Sequence, residues 1–419
     1  MILYKAVVFA IVLALNSGGR AVQVERDTPK FRNAVYFTNW GIYGRDYHPI
    51  NLPASQINQA LYAFANIRTD GSVYASDTWS DVEKHYINDS WNDVGTNVYG
   101  CLKQLYRLKM ANRHLKVLLS VGGWTYSGKF VAASSTAANR SNFAKTAVAL
   151  MKDWGFDGID IDWEYPSNES EADNLVSLLQ ALREELDLYS ATYATGCHFF
   201  LTAAVPAGPS NYEKLKLSKM VLLLDQFNLM AYDYAGSWDA TSGHQANLYF
   251  SSSNPTATKF STDSAITAYL EAGVPADKIV LGIPTYGWSF ESTDGIGEAY
   301  SGIGQGSWEA GVWDYKALPR SGANEQYDPT AGATYSYDPS TRELVSYDNV
   351  DMIERKVAYL QKLGLGGSVF WEAAGDRNDN GSLIAASFNA QRGAAAFDIT
   401  DNCVSYPNSR YDNIRGNFS

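Results

Sequence analysis

The sequence contains few of the residues that bind metals or form covalent cross-links. Three cysteines occur among 419 residues, so at most one intramolecular disulfide can form and one thiol is left over. Their spacing does not decide which of Cys101, Cys197 and Cys403 are paired, and stability must come mainly from a hydrophobic core. The five histidines show no metal-ligand spacing. We therefore predict no metal and no cofactor.

Basic residues are also scarce. The 33 Lys and Arg are outnumbered by 45 Asp and Glu, giving a formal net charge of −12. Nucleic acids and anionic membranes require basic patches, so neither is an expected partner, whereas a neutral or weakly cationic polymer is compatible with this charge. Aromatic residues are plentiful, with 11 Trp and 28 Tyr. Because sugar rings bind aromatic faces, this surplus indicates a carbohydrate partner.

Long hydrophobic runs are absent apart from one at the start of the sequence. Lys5 is followed by an apolar stretch, Ala6 to Leu15, which is too short to span a bilayer, and then by small residues. We predict a secretory signal peptide over 1–21, a pro-segment or disordered lead-in over 22–32, and an extracellular glycoprotein. Glycosylation sequons, which support secretion only weakly, occur at Asn88, Asn139, Asn168, Asn380 and Asn417.

Eight apolar, strand-like segments alternate with stretches of helical periodicity. This alternation predicts an α/β fold, a (β/α)8 TIM barrel. The alternative is an open doubly wound sheet, which would require a glycine-rich phosphate turn after the first strand, and Gly41 to Gly44 does not fit one. The predicted strands are Asn33–Trp40, Gln59–Ile67, Leu115–Gly123, Phe156–Glu164, Phe199–Pro206, Gln226–Asp233, Ile279–Gly287 and Gly366–Glu372.

The connection between the seventh and eighth strands is unusually long. It spans the 78 residues from Trp288 to Leu365, far more than one helix and a loop require. We predict a small α+β insertion over 289–346, with the barrel formed by 33–288 and 347–419.

An acidic run, Asp157 to Glu164, ends the fourth predicted strand. Alternate side chains of a strand share a face, so Asp160, Asp162 and Glu164 point one way and Asp157 points the other, into a structural role. Three adjacent carboxyls raise at least one pKa, which suits an acid that must stay protonated. A solvated acidic edge strand is the alternative. The apolar neighbours argue against it: Phe156, Ile159, Ile161 and Trp163, the last assigned to the core.

This run matches the DxxDxDxE motif of glycoside hydrolase family 18, and Ser120-Val121-Gly122-Gly123 matches that family's SxGG motif. The chain closely resembles the secreted chitinases of filamentous fungi from about Ala34 to its C-terminus. The resemblance implies a deep cleft with the insertion as one wall, and hydrolysis of β-1,4-linked N-acetylglucosamine polymers. Chitin and its oligosaccharides are the implied partners, and we expect a monomer.

The resemblance also implies catalytic roles. Most glycosidases place two carboxylates on opposite sides of the bond, but these acids lie on one strand, and family 18 uses the substrate instead. Glu164 would protonate the glycosidic oxygen and later activate water. The substrate's acetamido oxygen would attack the anomeric carbon, Asp162 would orient and stabilise the acetamido group with Asp160 behind it, and Tyr232 would donate to the acetamido oxygen. The anomeric configuration would be retained.

Substrate-binding residues are predicted at the other strand ends. Trp371 would form a hydrophobic floor, and Trp40, Trp124 and Trp238 would be stacking platforms. The same cleft is expected to include Tyr36, Met230, Asp233 and Tyr286, with Ser120 as scaffold. One position departs from the pattern, because Trp288 stands where many relatives have an arginine that contacts sugar.

Two alternative functions fit parts of the sequence. A chitin-binding lectin of this fold typically lacks the last acid of the motif, so the presence of Glu164 favours an enzyme. An endoglycosidase acting on the core of N-glycans is less consistent with the insertion and the aromatic platforms, which favour a linear polymer. The sequence does not decide between exo and endo cleavage.

Overall fold

The computed structural model describes residues 30–418. Fourteen strands lie in this part of the chain: β1 Arg32–Thr38, β2 Gln59–Ile67, β3 Val73–Ala75, β4 Lys116–Gly122, β5 Gly158–Asp162, β6 Phe200–Pro206, β7 Gln226–Met230, β8 Ile279–Pro284, β9 Tyr286–Phe290, β10 Val312–Asp314, β11 Asn324–Asp328, β12 Ala333–Asp338, β13 Glu343–Ser346 and β14 Gly367–Trp371. The α-helices are α1 Gly100–Ala111, α2 Phe130–Ala133, α3 Ala137–Trp154, α4 Glu169–Tyr193, α5 Pro209–Tyr212, α6 Leu217–Met220, α7 Thr262–Glu271, α8 Val350–Leu363, α9 Leu383–Ala390 and α10 Asp412–Arg415.

Eight parallel strands close into a barrel, as predicted. Their order is β1-β14-β8-β7-β6-β5-β4-β2, and pairing of β1 with β2 completes the circle. The short β3 adds to β2 in antiparallel orientation. In the register of this sheet, Asp160 on β5 lies beside Ser120 on β4 and Thr202 on β6. The closed barrel therefore brings residues that are far apart in sequence to one interior layer.

The hydrophobic core of the barrel has two parts, and a third, small cluster includes Trp288, Phe290 and Leu344 of β9 and β13. A small cluster inside the barrel includes Leu61, Val280 and Val369. A much larger cluster lies between the strands and the surrounding helices, because the outward-facing strand residues, such as Ile159 and Ile161, are apolar. The amphipathic helix α8 contributes to this outer layer, burying Met352, Ile353, Val357 and Leu360. Burial on both strand faces explains why the predicted strands are nearly continuous apolar runs.

The insertion between β8 and α8 forms a second sheet. Its five antiparallel strands follow the order β10-β9-β13-β12-β11, and its described helical content is one 3-10 turn, Tyr315–Ala317. The seventh predicted strand is divided in the structure. The barrel strand β8 ends at Pro284, and Tyr286 and Gly287 belong to β9 in the insertion. The break is at Thr285, whose N–H and hydroxyl donate to the carbonyls of Trp371 and Glu372 at 2.8 and 2.6 Å.

The two ends of the described chain pack against the barrel. Phe31 is buried and pairs with Phe397, and Arg32, the last position of the predicted lead-in, begins β1. The predicted signal peptide lies outside the described residues. Cys197 and Cys403 form a disulfide, which leaves Cys101 as a buried free thiol. Within residues 30–418, no helix combines the length and apolar character needed to cross a membrane.

Candidate active site

The predicted catalytic residues lie at the carboxyl ends of the barrel strands, where barrel enzymes place their active sites. A cavity of about 390 Å³ opens there. Its lining comes from six of the barrel strands and the loops that follow them: Tyr36, Trp40, Phe64, Trp124, Thr125, Tyr126, Asp162, Glu164, Met230, Tyr232, Asp233 and Trp371.

Asp160 lies beneath this cavity and is completely buried. Four side chains donate hydrogen bonds to its carboxylate: Ser120 at 2.7 Å, Thr202 at 2.6 Å, Asn228 at 3.0 Å and Tyr36 at 3.1 Å. Burial raises the pKa of Asp160, and the four donors oppose that shift. With its acceptor positions filled by protein, Asp160 supports the layer above it and has no free oxygen to offer a ligand.

Asp162, two residues further along β5, has the opposite environment. Its side chain is also buried, yet its Oδ1 has no hydrogen-bond partner among the described residues. Burial and the neighbouring charges of Glu164 and Asp160 raise the pKa of Asp162 well above its ordinary value. Asp162 lines the cavity, so a ligand there can supply the missing partner. An unpaired buried acceptor is costly, and this cost would be recovered on binding a donor.

Glu164 faces the same cavity just beyond the end of β5. Burial and the nearby charge of Asp233 raise its pKa to about 7, and the Tyr165 hydroxyl, 3.4 Å from Oε2, opposes the shift. The backbone N–H of Glu164 donates to the Ser127 hydroxyl at 2.7 Å, which holds this residue in place. Near neutral pH a substantial fraction of Glu164 is therefore protonated and able to act as an acid.

The SxGG segment builds the wall next to these acids. Ser120 donates to Asp160, as described above, and the N–H of Gly123 donates to the carbonyl of Asp162 at 2.8 Å. A Cβ on Gly122 would lie 2.1 Å from that carbonyl oxygen, and one on Gly123 would lie 2.5 Å from the Phe64 ring. Both glycines also have positive φ, of 113° and 74°. The second motif thus allows the end of β4 to approach the acidic strand at Gly122 and the Phe64 ring at Gly123.

An aromatic floor lies across the cavity from the acids. Trp371 stacks on Phe64, with ring centroids 5.7 Å apart and planes inclined by 20°. It also meets Tyr36 edge-on at 5.2 Å. Such contacts fix the indole rigidly, so that one apolar face remains available to the cavity. Tyr232 lines the same space, and burial raises the pKa of its phenol further, so its hydroxyl is a donor at neutral pH.

Asp233 forms a polar corner between the barrel and the insertion. Its Oδ1 accepts hydrogen bonds from the Tyr286 hydroxyl at 2.7 Å and the Trp288 indole N–H at 2.8 Å. Its backbone has a φ of 58°, an unusual conformation for an aspartate that this corner must maintain. Trp288, at the position where the resemblance leads one to expect arginine, therefore supplies a neutral donor to Asp233 in place of a cation.

A second cavity, of about 540 Å³, continues from the first. The two share Trp40, Trp124, Asp233 and Trp371, so together they form one cleft. On the far side, Arg45 bridges Asp314 at 2.8 Å and Glu372 at 3.4 Å. Arg45 also lies 5.2 Å from the centre of the Trp308 ring, whose N–H donates to Asp314. This network ties the loop after β1 to the insertion.

The structure brings most of the predicted site residues together. Ten of the twelve line one of the two cavities, Asp160 lies beneath, and Trp238 lies outside both linings, edge-on to Trp288 with ring centroids 5.0 Å apart. Phe64 and Trp308 also line the cleft, although the sequence pattern did not indicate them. Phe64 lies on the second predicted strand, for which no site residue was considered, and Trp308 lies in the insertion, where no periodic pattern distinguishes it.

Comparisons with known proteins agree with this geometry. The model of the family described as glycosyl hydrolases family 18 matches residues 32–376. The chain belongs to this family. Endochitinase 1 of Metarhizium robertsii is 59% identical over 383 residues, covering 91% of this chain and 90% of that protein. Chitinase 1 of Aphanocladium album is 58% identical over 392 residues, covering 94% and 92%.

Solved structures support the same family. The catalytic domain of psychrophilic chitinase B from Arthrobacter TAD20 superposes with a TM-score of 0.80 at 30% identity, covering 89% of this chain and 98% of that one. The Group IV chitinase of Ostrinia furnacalis, in complex with allosamidin, gives 0.76 at 26% identity, covering 88% and 100%. The predictions of a family 18 glycoside hydrolase related to fungal chitinases, and of its barrel, are confirmed.

Proposed function

We propose that this family 18 member is a secreted chitinase that hydrolyses β-1,4-linked N-acetylglucosamine polymers with retention of the anomeric configuration. Glu164 protonates the glycosidic oxygen, and the substrate's own acetamido oxygen attacks the anomeric carbon to give an oxazolinium-type intermediate. Glu164 then removes a proton from water, which opens the intermediate. Secretion is supported by the apolar stretch after Lys5, and substrate choice by the names of the relatives, both chitinases.

The unpaired Oδ1 of Asp162 is the observation that supports this proposal most directly. The N–H of a bound acetamido group is a donor of the kind this oxygen lacks. Forming that bond would hold the acetamido oxygen toward the anomeric carbon, with the Tyr232 hydroxyl as its donor. A sugar without an N-acetyl group has no acetamido oxygen to attack the anomeric carbon, so it should resist cleavage by this route even if its amine or hydroxyl donates to Asp162.

The charges in the cavity are consistent with the same chemistry. Before substrate binds, the raised pKa values of Asp162 and Glu164 favour protonated carboxyls. As the glycosidic bond breaks, positive charge develops on the sugar ring and on the acetamido group. Ionised Asp162 then becomes favourable, because it lies in a low-dielectric site beside a cation. Trp371 would cover the apolar face of the sugar at the point of cleavage.

Asp233 is the main mechanistic competitor, because it is a second carboxylate that lines the same cavity. An inverting glycosidase would use such a group to activate water directly. Burial raises the pKa of Asp233, and the hydrogen bonds that its Oδ1 accepts from Tyr286 and Trp288 oppose this shift and hold the carboxylate at the corner with the insertion. We therefore assign Asp233 to substrate binding and to raising the pKa of Glu164.

The decisive experiment is the anomer released at early times from an N-acetylglucosamine oligomer, measured by proton NMR. We expect the β-anomer first, with mutarotation to α later, and no product from the Glu164→Gln variant. Fully deacetylated chitosan and cellulose should resist cleavage under the same conditions. An initial α-anomer would mean direct attack by water, and the roles of Asp162 and Tyr232 would then have to be abandoned.

A further inference from the structure

Tryptophan exposure is unusually high in this protein. Six of the 11 tryptophans are at least 44% exposed: Trp40, Trp79, Trp91, Trp124, Trp238 and Trp308. Tryptophan is highly buried on average, and a large apolar surface left in water favours a binding role. Four of the six are explained by the cleft, since they line its cavities or pack on Trp288. Trp79 and Trp91 are left without a role.

Hydrogen bonds join the segment that carries Trp79 to the loop that carries Trp40. The loop after β1 carries Trp40 and Tyr43, and the turn that begins at Trp79 follows β3. The Ser80 hydroxyl donates to the carbonyl of Asn39 at 2.5 Å, and the Asn39 amide donates to Asp81 at 2.9 Å. These bonds connect the immediate neighbours of Trp40 to those of Trp79.

A third hydrogen bond completes the link, because the Tyr43 hydroxyl donates to Asp77 at 2.7 Å. Asp81, at the centre of this contact, is buried and also accepts from the Tyr62 hydroxyl on β2. The two loops are therefore anchored to the barrel, and the exposed rings are mounted on a rigid support. Trp40, Tyr43 and Trp79, which are 44%, 49% and 49% exposed, are called the rim strip below.

We propose that the rim strip extends the substrate cleft, and that Tyr43 and Trp79 bind a part of the polymer that projects beyond Trp40. The proposal rests on the proposed function, because it assigns the same N-acetylglucosamine polymer to both surfaces. Trp40 provides the continuity, since it lines both cavities and belongs to the strip. The occupant must be uncharged or cationic, because the protein carries a net charge of −12.

The rim strip should act on long substrates only. A soluble trimer should fit entirely within the cleft, whereas a chain of insoluble chitin should extend past Trp40. Because ordering the polymer and the side chain offsets much of the gain from covering an indole, we expect Trp79→Ala to weaken binding to the polymer about five- to tenfold. Trp91→Ala is the matched control, because Trp91 is more exposed, at 78%, lies in the same long loop region and stacks on His85 rather than on the rim.

The test compares initial rates on insoluble chitin and on the soluble trimer for the wild type, Trp79→Ala and Trp91→Ala. We expect the polymer-to-trimer rate ratio to fall about five- to tenfold for Trp79→Ala, and to stay at the wild-type value for Trp91→Ala. Circular dichroism melts check that both variants are folded. An unchanged ratio for Trp79→Ala, or an equal fall for Trp91→Ala, would overturn the proposal.

A binding measurement separates this proposal from the proposed function. The Glu164→Gln variant and the double variant Glu164→Gln/Trp79→Ala are each sedimented with insoluble chitin. A smaller fraction of the double variant should sediment with chitin, and neither variant should sediment with cellulose. If the wild type bound chitin through Trp79 but cleaved nothing, the proposed chitinase activity would be wrong and the proposed role of the rim strip in binding would be supported. If Trp79→Ala instead abolished a concentration-dependent dimer seen by analytical ultracentrifugation, the strip would be an interface between copies, and the proposal would be wrong.

Discussion

The two faces of β5 bury carboxylates in opposite ways. On the outer face, at the residue preceding the strand, Asp157 lies 2.8 Å from the ammonium of Lys109 and accepts hydrogen bonds from the backbone N–H groups of Val117 and Cys403 at 2.8 and 2.9 Å. On the inner face, no cation contacts Asp162 or Glu164 within the described chain, and both pKa values are raised. The segment from Asp157 to Glu164 therefore contains one structural acid that is paired with a cation, Asp157, and two reactive acids that are not, Asp162 and Glu164.

This difference shows how a barrel separates stability from chemistry. The outer acid fastens β5 to α1 and to the C-terminal segment, and its charge is compensated. The negative charges of the inner acids are only partly compensated, which costs folding free energy. For the same reason their pKa values are raised, so a proton is available at neutral pH. Strongly perturbed groups in a cleft are candidates for function, whereas similar groups that are fully paired belong to the scaffold.

The largest expected effect is on the inner face. Glu164→Gln keeps the shape of the side chain but removes the proton donor, so turnover should fall by at least the ~10²–10⁴-fold attributed to general acid catalysis, because the same group also serves as base. Chitin oligomers should still bind, as measured by calorimetry. Glu169→Gln, at an 88% exposed side chain on α4, is the control and should leave the rate unchanged. Near-normal turnover of Glu164→Gln would remove this residue from the mechanism.

On the outer face the expected effect is on stability. Lys109→Met would leave Asp157 buried without its cation, a change that costs about 3–5 kcal/mol. Denaturant titration should show the loss, while the activity of the remaining folded protein stays normal. The matched control is Lys219→Met, which breaks an exposed pair with Asp173 and should cost about 0–1 kcal/mol. Equal losses in the two variants would contradict the structural role of Asp157.

A smaller effect concerns the pH dependence of stability. The folded pKa of Glu164, about 7, lies above the ordinary glutamate value of 4.5, so its ionisation destabilises the fold. Protonated Glu164 carries no such cost at low pH, so the free energy of unfolding should decrease as the pH rises from about 4.5 through 7. Glu164→Gln should therefore raise the melting temperature at pH 8 more than at pH 4. A constant difference at both values would show that the pKa is not raised.

The smallest expected effect is a shift in the pH–rate profile. Since Asp233 raises the pKa of Glu164, Asp233→Asn should lower that pKa and move the alkaline limb of kcat/KM, expected near pH 7 in the wild type, toward lower pH by up to about one unit. The limb is the diagnostic quantity, because the same change also alters substrate affinity. If it did not move, Asp233 would influence binding alone.

Much of the fold could be predicted because its signal is local. Apolar runs of strand length, separated by helical periodicity, predict the barrel, and side-chain alternation places Asp157 and Asp162 on opposite faces. The division of the seventh strand at Thr285 could not be predicted in this way. There the side chain and the backbone N–H bond to the carbonyl groups of residues 371 and 372, which are distant in sequence.

The sequence by itself determined the fold class, the family and which carboxyls face inward, because each depends on the order of residues along one chain segment. Only the tertiary structure decided how those carboxyls differ. Asp160 is satisfied by donors from β1, β4, β6 and β7, whereas the Oδ1 of Asp162 has no donor within residues 30–418. The pairing of Cys197 with Cys403, the bond from Trp288 to Asp233 and the bond from Ser80 to Asn39 depend likewise on contacts between distant segments. Such contacts exist only once the barrel has closed.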